Sequence, residues 1–118
     1  MEAAEKIAVV EKYIEAFDKV DIELIKEIYA DDAVVEDPVG SDKHVGIDAI
    51  VAFYNGAMNP GVKLSLTGTP RCAGNAVAFP FQANAGGMTI DIIDVFEFND
   101  AGKVNSMKAY WGPENMAS

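Results

Sequence analysis

The chain is poor in the residues from which most metal and nucleophile sites are built. It has one cysteine, Cys72, and one histidine, His44, in 118 residues. A single thiol excludes an intrachain disulfide and a cysteine-based zinc site, and with no base arranged near it in sequence Cys72 reads as inert. One imidazole excludes histidine-clustered metal centres, and leaves any Ser-His or Cys-His pair dependent on His44 in the polar loop Ser41-Asp42-Lys43-His44. Positive charge is scarce as well. Nine Lys and Arg stand against nineteen Asp and Glu, a net charge of −10, and such a surface repels nucleic acid and anionic membranes alike. No apolar run approaches the roughly 20 residues that span a bilayer. The opening Met1-Glu2-Ala3-Ala4-Glu5-Lys6 lacks the basic-then-apolar layout of a signal peptide, so a cytoplasmic protein is expected. Acid and base chemistry falls mainly to Asp, Glu or Tyr.

What is present points to one core. Half of the residues are apolar, and a chain of this length suits a single domain over residues 1–118. Ile7, Val10, Ile14 and Phe17 recur at three and four, which predicts an amphipathic helix from about Ala4 to Lys19 with Tyr13 on its buried side. Asp21 is placed to cap a second helix, Ile22 to Tyr29, and Ile47, Ile50, Val51, Tyr54 and Met58 line a third. Strands are predicted at Ala33 to Asp37, Lys63 to Thr67, Ala76 to Ala85, Met88 to Phe98 and Val104 to Trp111, with Pro80 implying an edge or a bulge. Helices first and hairpin-linked strands after them give an α+β fold, helices on one face of a largely antiparallel sheet.

Two strands carry acids on apolar faces. Along Met88–Phe98, two-residue alternation puts Asp94 with Met88, Ile90, Ile92, Phe96 and Phe98. A carboxylate there loses hydration with no cation along the strand, so it either neutralises by a raised pKa or pairs with a group from elsewhere. Alternation likewise puts Asp37 with Ala33 and Val35, at a strand end closed by Pro38. Tyr13 reads either as a core phenol bonded to a carbonyl or as a donor aimed into a pocket. The neighbouring acids Asp31, Asp32, Glu36 and Asp37 match no metal-binding spacing and read as a solvated edge; no metal and no cofactor is expected.

Taken together these segments resemble bacterial ketosteroid isomerase, a steroid Δ-isomerase of the NTF2-like fold, over nearly the whole chain. The most specific pieces are Tyr29-Ala30-Asp31-Asp32-Ala33-Val34-Val35-Glu36-Asp37-Pro38-Val39-Gly40 and Asp91-Ile92-Ile93-Asp94-Val95-Phe96, supported by Ala52-Phe53-Tyr54, Pro80-Phe81 and Ser106-Met107-Lys108-Ala109-Tyr110-Trp111. The resemblance implies a cone of three N-terminal helices on a strongly curved mixed sheet, and a homodimer formed through the outer sheet face. It implies a small-molecule steroid substrate, with Asp37 as the base that moves a proton from carbon 4 to carbon 6 of a Δ5-3-ketosteroid. Tyr13 and a protonated Asp94 would be the donors to the oxygen at carbon 3. Tyr54 and Tyr29 would orient Tyr13, and Phe81, Met107 and Trp111 would line the cavity. Loops Ser41 to Val45, Asn59 to Val62 and Ala83 to Gly87 depart from the family's pattern, which bears on substrate range. A dehydratase, epoxide hydrolase or cyclase of the same fold would pair the carboxylate with His or Arg. Only His44 and Arg71 are available, neither in a segment expected to line the cavity. A non-catalytic binding module would have no use for the three polar groups.

Overall fold

The computed structural model describes residues 1–118. Helix α1 spans Ala3–Lys19, α2 Ile22–Ile28 and α3 Ile47–Ala57. The strands are β1 Tyr29–Glu36, β2 His44–Val45, β3 Val62–Leu66, β4 Arg71–Ala73, β5 Ala76–Ala85, β6 Met88–Phe98, β7 Val104–Tyr110 and β8 Met116–Ala117, the last following a short 3₁₀ turn at Pro113–Asn115. They form one sheet in the order β2-β1-β7-β6-β5-β3, with β4 also on β5 and β8 on β6. All pairings are antiparallel except β1 with β7, so the sheet is mixed. That parallel pair brings the first strand against the last long one.

Inner-face side chains at two-residue spacing build the core: Val77, Phe79, Phe81 and Ala83 from β5, Asp94, Phe96 and Phe98 from β6, Ala33 and Val35 from β1. In β7 both Val104 and Met107 are buried, because the ladder shifts between Glu97 and Phe98 and leaves Asn105 extra. A bulge of this kind turns the strand's twist and restores the inward face. Helix α1 covers β3 and β5, and α3 covers β1.

Three details differ from the sequence reading. The buried stripe of α1 is Lys6, Val10, Tyr13, Ala16 and Phe17, rotated toward Tyr13, while Ile7 and Ile14 are only half-buried. Lys6 enters the core because its ammonium donates to the Gly74 carbonyl at 2.6 Å, which satisfies one buried donor. Tyr29 belongs to β1 rather than to the second helix: it is the extended cap residue of α2, and its N–H still bonds Ile25. Pro80 lies in an interior strand, not at an edge. Its outer neighbours change from β3, which pairs as far as Phe81, to β4, which pairs from Ala78, and the missing N–H falls in that gap.

Helix α1 ends on Val20, the one non-glycine residue with positive φ (51°), whose N–H caps Ala16 and Phe17. A β-branched side chain in the left-handed region costs about 1 to 2 kcal/mol, and this one is exposed. Val20→Gly is expected to stabilise the protein by about 1 kcal/mol in urea unfolding; an unchanged or lower midpoint would show that the side chain's contacts outweigh its backbone strain.

Candidate active site

A cavity of about 230 Å³ opens between α1, α3 and the inner face of the sheet. Of its twelve lining residues Asp37 is the only charged one, and Tyr13 supplies the one other strong hydrogen-bonding side chain apart from the Trp111 indole. Phe17, Phe53, Phe81, Ile90 and Ile92 form much of the wall, and Ala57, Val62, Leu64 and Ala83 the rest. No Lys, Arg or His reaches it, so a phosphate or carboxylate ligand would find no counterion there.

Asp37 stands one residue beyond β1, where the chain turns through Pro38 to Ser41. The turn is tied by the Ser41 N–H to the Pro38 carbonyl at 3.0 Å, and the Val39 N–H bonds the Ala109 carbonyl of β7 at 2.8 Å. Those bonds fix the backbone under the carboxylate. The Trp111 indole then donates to Asp37 Oδ1 at 2.8 Å, which leaves Oδ2 without a protein donor. Burial raises the Asp37 pKa, and both the Trp111 bond and the charge of His44 oppose that rise. The outcome is a carboxylate of increased basicity that is still held in its charged form by a donor.

Tyr13 is buried on α1, with its ring edge-on to Phe96 at 5.3 Å and tilted against Phe17 at 5.4 Å. Its hydroxyl lies 3.1 Å from that of Tyr54, which lies 2.6 Å from that of Tyr29. Helix α1, helix α3 and strand β1 thus each contribute one phenol to a buried chain. Burial raises all three pKa values well above the ordinary tyrosine range, so the hydroxyls stay protonated and remain donors.

Asp94 sits in the middle of the sheet, opposite Phe79 of β5 and Ala109 of β7. It is 1 % exposed, and neither carboxyl oxygen has a hydrogen-bond partner. Burial pushes its pKa well above the carboxylate range, the charge of Asp37 adds to the rise, and the nearby Tyr13 hydroxyl works against it without completing a bond. An unpaired buried polar group costs about 1 to 3 kcal/mol, much less than an unpaired buried charge.

The structure therefore gathers Tyr13, Asp37, Phe81 and Trp111 at the cavity, and Tyr29, Tyr54 and Asp94 directly behind Tyr13. Met107, placed among the lining residues by the resemblance, is fully buried opposite Val35 and Phe96, on the same inner face of β7 as Ala109, and Trp111 rather than Met107 borders the cavity. Sequence reasoning missed Phe17, Phe53 and Ala57 as wall residues, and passed over His44, whose ring stacks on Phe53 with centroids 4.4 Å apart.

An α+β cone with an apolar cavity and an acid at its wall defines a class, and the chain belongs to it: a profile of the SnoaL-like domain, an NTF2-like fold, matches residues 10–107. It is similar to a steroid Delta-isomerase of Nocardioides simplex, 36% identical over an alignment of 118 positions that covers 97% of this chain and 95% of the relative. Among solved structures it superposes with TM-score 0.90 and 25% identity on SalBIII, an epoxide hydrolase/cyclase-like enzyme, over 98% of this chain and 97% of that one.

The Asp94 environment carries a sign for stability. Its folded pKa lies above the value of about 4 for an exposed Asp, so as pH rises past 4 the unfolded chain loses a proton that the folded one keeps. Unfolding free energy should fall by roughly 1.4 kcal/mol per pH unit from this group until its folded pKa is reached. Asp94→Asn should remove that slope and leave the smaller, like-signed one from Asp37. Equal slopes for both proteins in urea unfolding at pH 4.5, 5.5 and 6.5 would mean that Asp94 is ionised.

Proposed function

We propose that the protein is an enzyme that isomerises Δ5-3-ketosteroids to Δ4-3-ketosteroids by carrying one proton from carbon 4 to carbon 6. The observation that carries this reading is a buried carboxyl group with no partner, next to a tyrosine that faces an apolar cavity whose single charge is another carboxylate. A flat hydrocarbon skeleton matches walls made of Phe53, Phe81, Ile90, Ile92, Leu64 and Ala83.

In this mechanism a ketone oxygen seats against Tyr13 deeply enough to reach Asp94, which stands behind the cavity lining, and gives it the acceptor it lacks. Asp37 removes the carbon 4 proton, and negative charge moves to the oxygen as the dienolate forms. Hydrogen bonds from Tyr13 and neutral Asp94 strengthen as that charge grows, so they favour the transition state over the bound ketone. Ketosteroid isomerases are themselves the established instance of an acid kept neutral for this purpose. The phenol chain can run in one direction that suits this chemistry, in which Tyr29 donates to Tyr54, Tyr54 donates to Tyr13, and the Tyr13 proton is left for the substrate. Asp37 then returns its proton to carbon 6. The Trp111 indole takes part in neither transfer, since it holds Oδ1 and leaves Oδ2 to work.

A second reading is ring formation of the kind named for the SalBIII enzyme. It is favoured by His44, an additional acid near Asp37. Against it, His44 stands behind Phe53 and outside the cavity lining, so its ring has no path to a substrate oxygen. Isomerase chemistry takes its base and its first donor, Asp37 and Tyr13, from the cavity wall, and its second donor, Asp94, from immediately behind Tyr13. The homodimer belongs to the same proposal: Ile93 and Tyr110 face each other on the outer side of β6 and β7, each 48 % exposed, beside Pro80.

With androst-5-ene-3,17-dione the protein should generate the ultraviolet absorbance of a conjugated enone well above a buffer control; no such rate would sink the assignment. Asp37→Asn should lower turnover by about 10² to 10⁴ while steroid binding, followed by Trp111 fluorescence, is retained. Lost binding with persisting turnover would show that Asp37 is not the base.

A further inference from the structure

We infer that His44 is a positioning residue for the base: from behind the cavity wall it supports the Asp37 carboxylate by its charge and holds the Phe53 ring in place. The inference rests on the proposed reaction for calling Asp37 a base, but the placement of His44 stands apart from it.

Strand β2 is two residues long, and its pairing decides where each side chain goes. Val45 lies opposite Val34 and His44 opposite Val35. Residues directly opposite in an antiparallel pair share a face, with diagonal neighbours about 7 to 8 Å apart. Val45 is the most exposed large apolar residue of the chain at 66 %, so it marks the outer face. His44 therefore turns inward with Val35, which is fully buried, and Asp37 lies two residues further along that strand's path. After Gly46, whose positive φ of 88° turns the chain into α3, the helix returns Phe53 to the imidazole at 4.4 Å between centroids and 29° between planes. Phe53 and Asp37 both line the cavity; His44 stacks on the first and acts on the second without lining it.

The other charges around this corner look elsewhere. Asp42 and Lys43 in the preceding loop and Asp31 and Asp32 on β1 are exposed, and Asp48 stands in the first turn of α3. Glu36 accepts the Gly40 N–H at 2.9 Å and shares an outer groove with Lys43 and with Lys108 of β7. Asp94 of β6 is buried away from His44's loop, and burial pushes its pKa well above the carboxylate range. His44 is the one charged side chain that acts on Asp37, with Trp111 as the one hydrogen-bond donor.

His44→Phe keeps a ring against Phe53 and removes the charge, whereas His44→Ala removes both. Trp111 is the only tryptophan and its N–H is bonded to Asp37, so its single indole resonance in NMR follows the ionisation of Asp37 with no substrate present. In His44→Phe that resonance should change at higher pH than in the wild type, and kcat/KM at pH 5 should fall roughly two- to fivefold, as for loss of one partly screened charge. The deficit should shrink as pH rises. In His44→Ala, KM should rise in addition by roughly two- to tenfold, the range for a lost aromatic pair. His44→Gln, neutral and smaller, repeats the charge test should the Phe variant fail to fold. An indole titration unmoved by either neutral variant overturns the inference. A shifted titration in a protein without isomerase activity upholds the role of His44 and overturns the proposed reaction alone.

Discussion

A carboxyl group sunk without a partner into an aromatic core is the constraint on which the rest of this site depends. Asp94 occupies the central strand between Phe79 and Ala109, at 1 % exposure. Placed there as an anion it would oppose folding by several kcal/mol; placed there as an acid it costs what one unsatisfied polar group costs. Burial therefore favours the protonated form of this group in the folded protein. The arrangement also separates two chemically identical side chains. Asp37, at a strand end with an indole donor, is less strongly desolvated, and its charge adds to the rise in the Asp94 pKa.

The aromatic cluster serves stability and orientation with the same atoms. Phe79, Phe96 and Tyr54 are among the largest fully buried side chains, and their rings pack edge-on around Tyr13. Packing of this kind gives the cone most of its apolar stabilisation. It also fixes the Tyr13 ring so that its hydroxyl has one place to be, and the bonds through Tyr54 to Tyr29 set which way the protons point. A donor immobilised before the charge appears does not have to reorganise when it does. Precision in the site is here a by-product of a dense core, and the two cannot be altered separately.

Much of this was legible in local pattern, and the remainder was not for a physical reason. Alternation along Met88–Phe98 is enough to put Asp94 on the inner face, because a strand's period is fixed by its backbone. The same holds for Val77 to Ala83 on β5. Where period fails, local pattern fails with it: the extra Asn105 in β7 lets both Val104 and Met107 turn inward, and a bulge leaves no mark in a single sequence. Pro80 signals a break in pairing, but whether the break is an edge or a gap between β3 and β4 depends on where two distant segments end. His44 reads as a loop residue because a two-residue strand has no pattern of its own. Its register comes entirely from Val34 and Val35. The phenol chain, joining residues 41 and 25 apart, is likewise a product of three elements meeting.

The parallel pairing of β1 with β7 has a further consequence, for the order in which the protein becomes competent. It joins the second quarter of the chain to its end, and the bond from Trp111 to Asp37 closes a loop of 74 residues. Contacts of such separation are repaid only after the intervening hairpins have formed, since the entropy of closing the loop is spent first. A chain with β5, β6 and β7 already paired has Asp94 in its final strand environment and still lacks the β1 end that carries Asp37. In the proposed reaction, then, the base is oriented by the contact of greatest sequence separation in the site, and the cavity wall and the group that works in it are joined only through that closure.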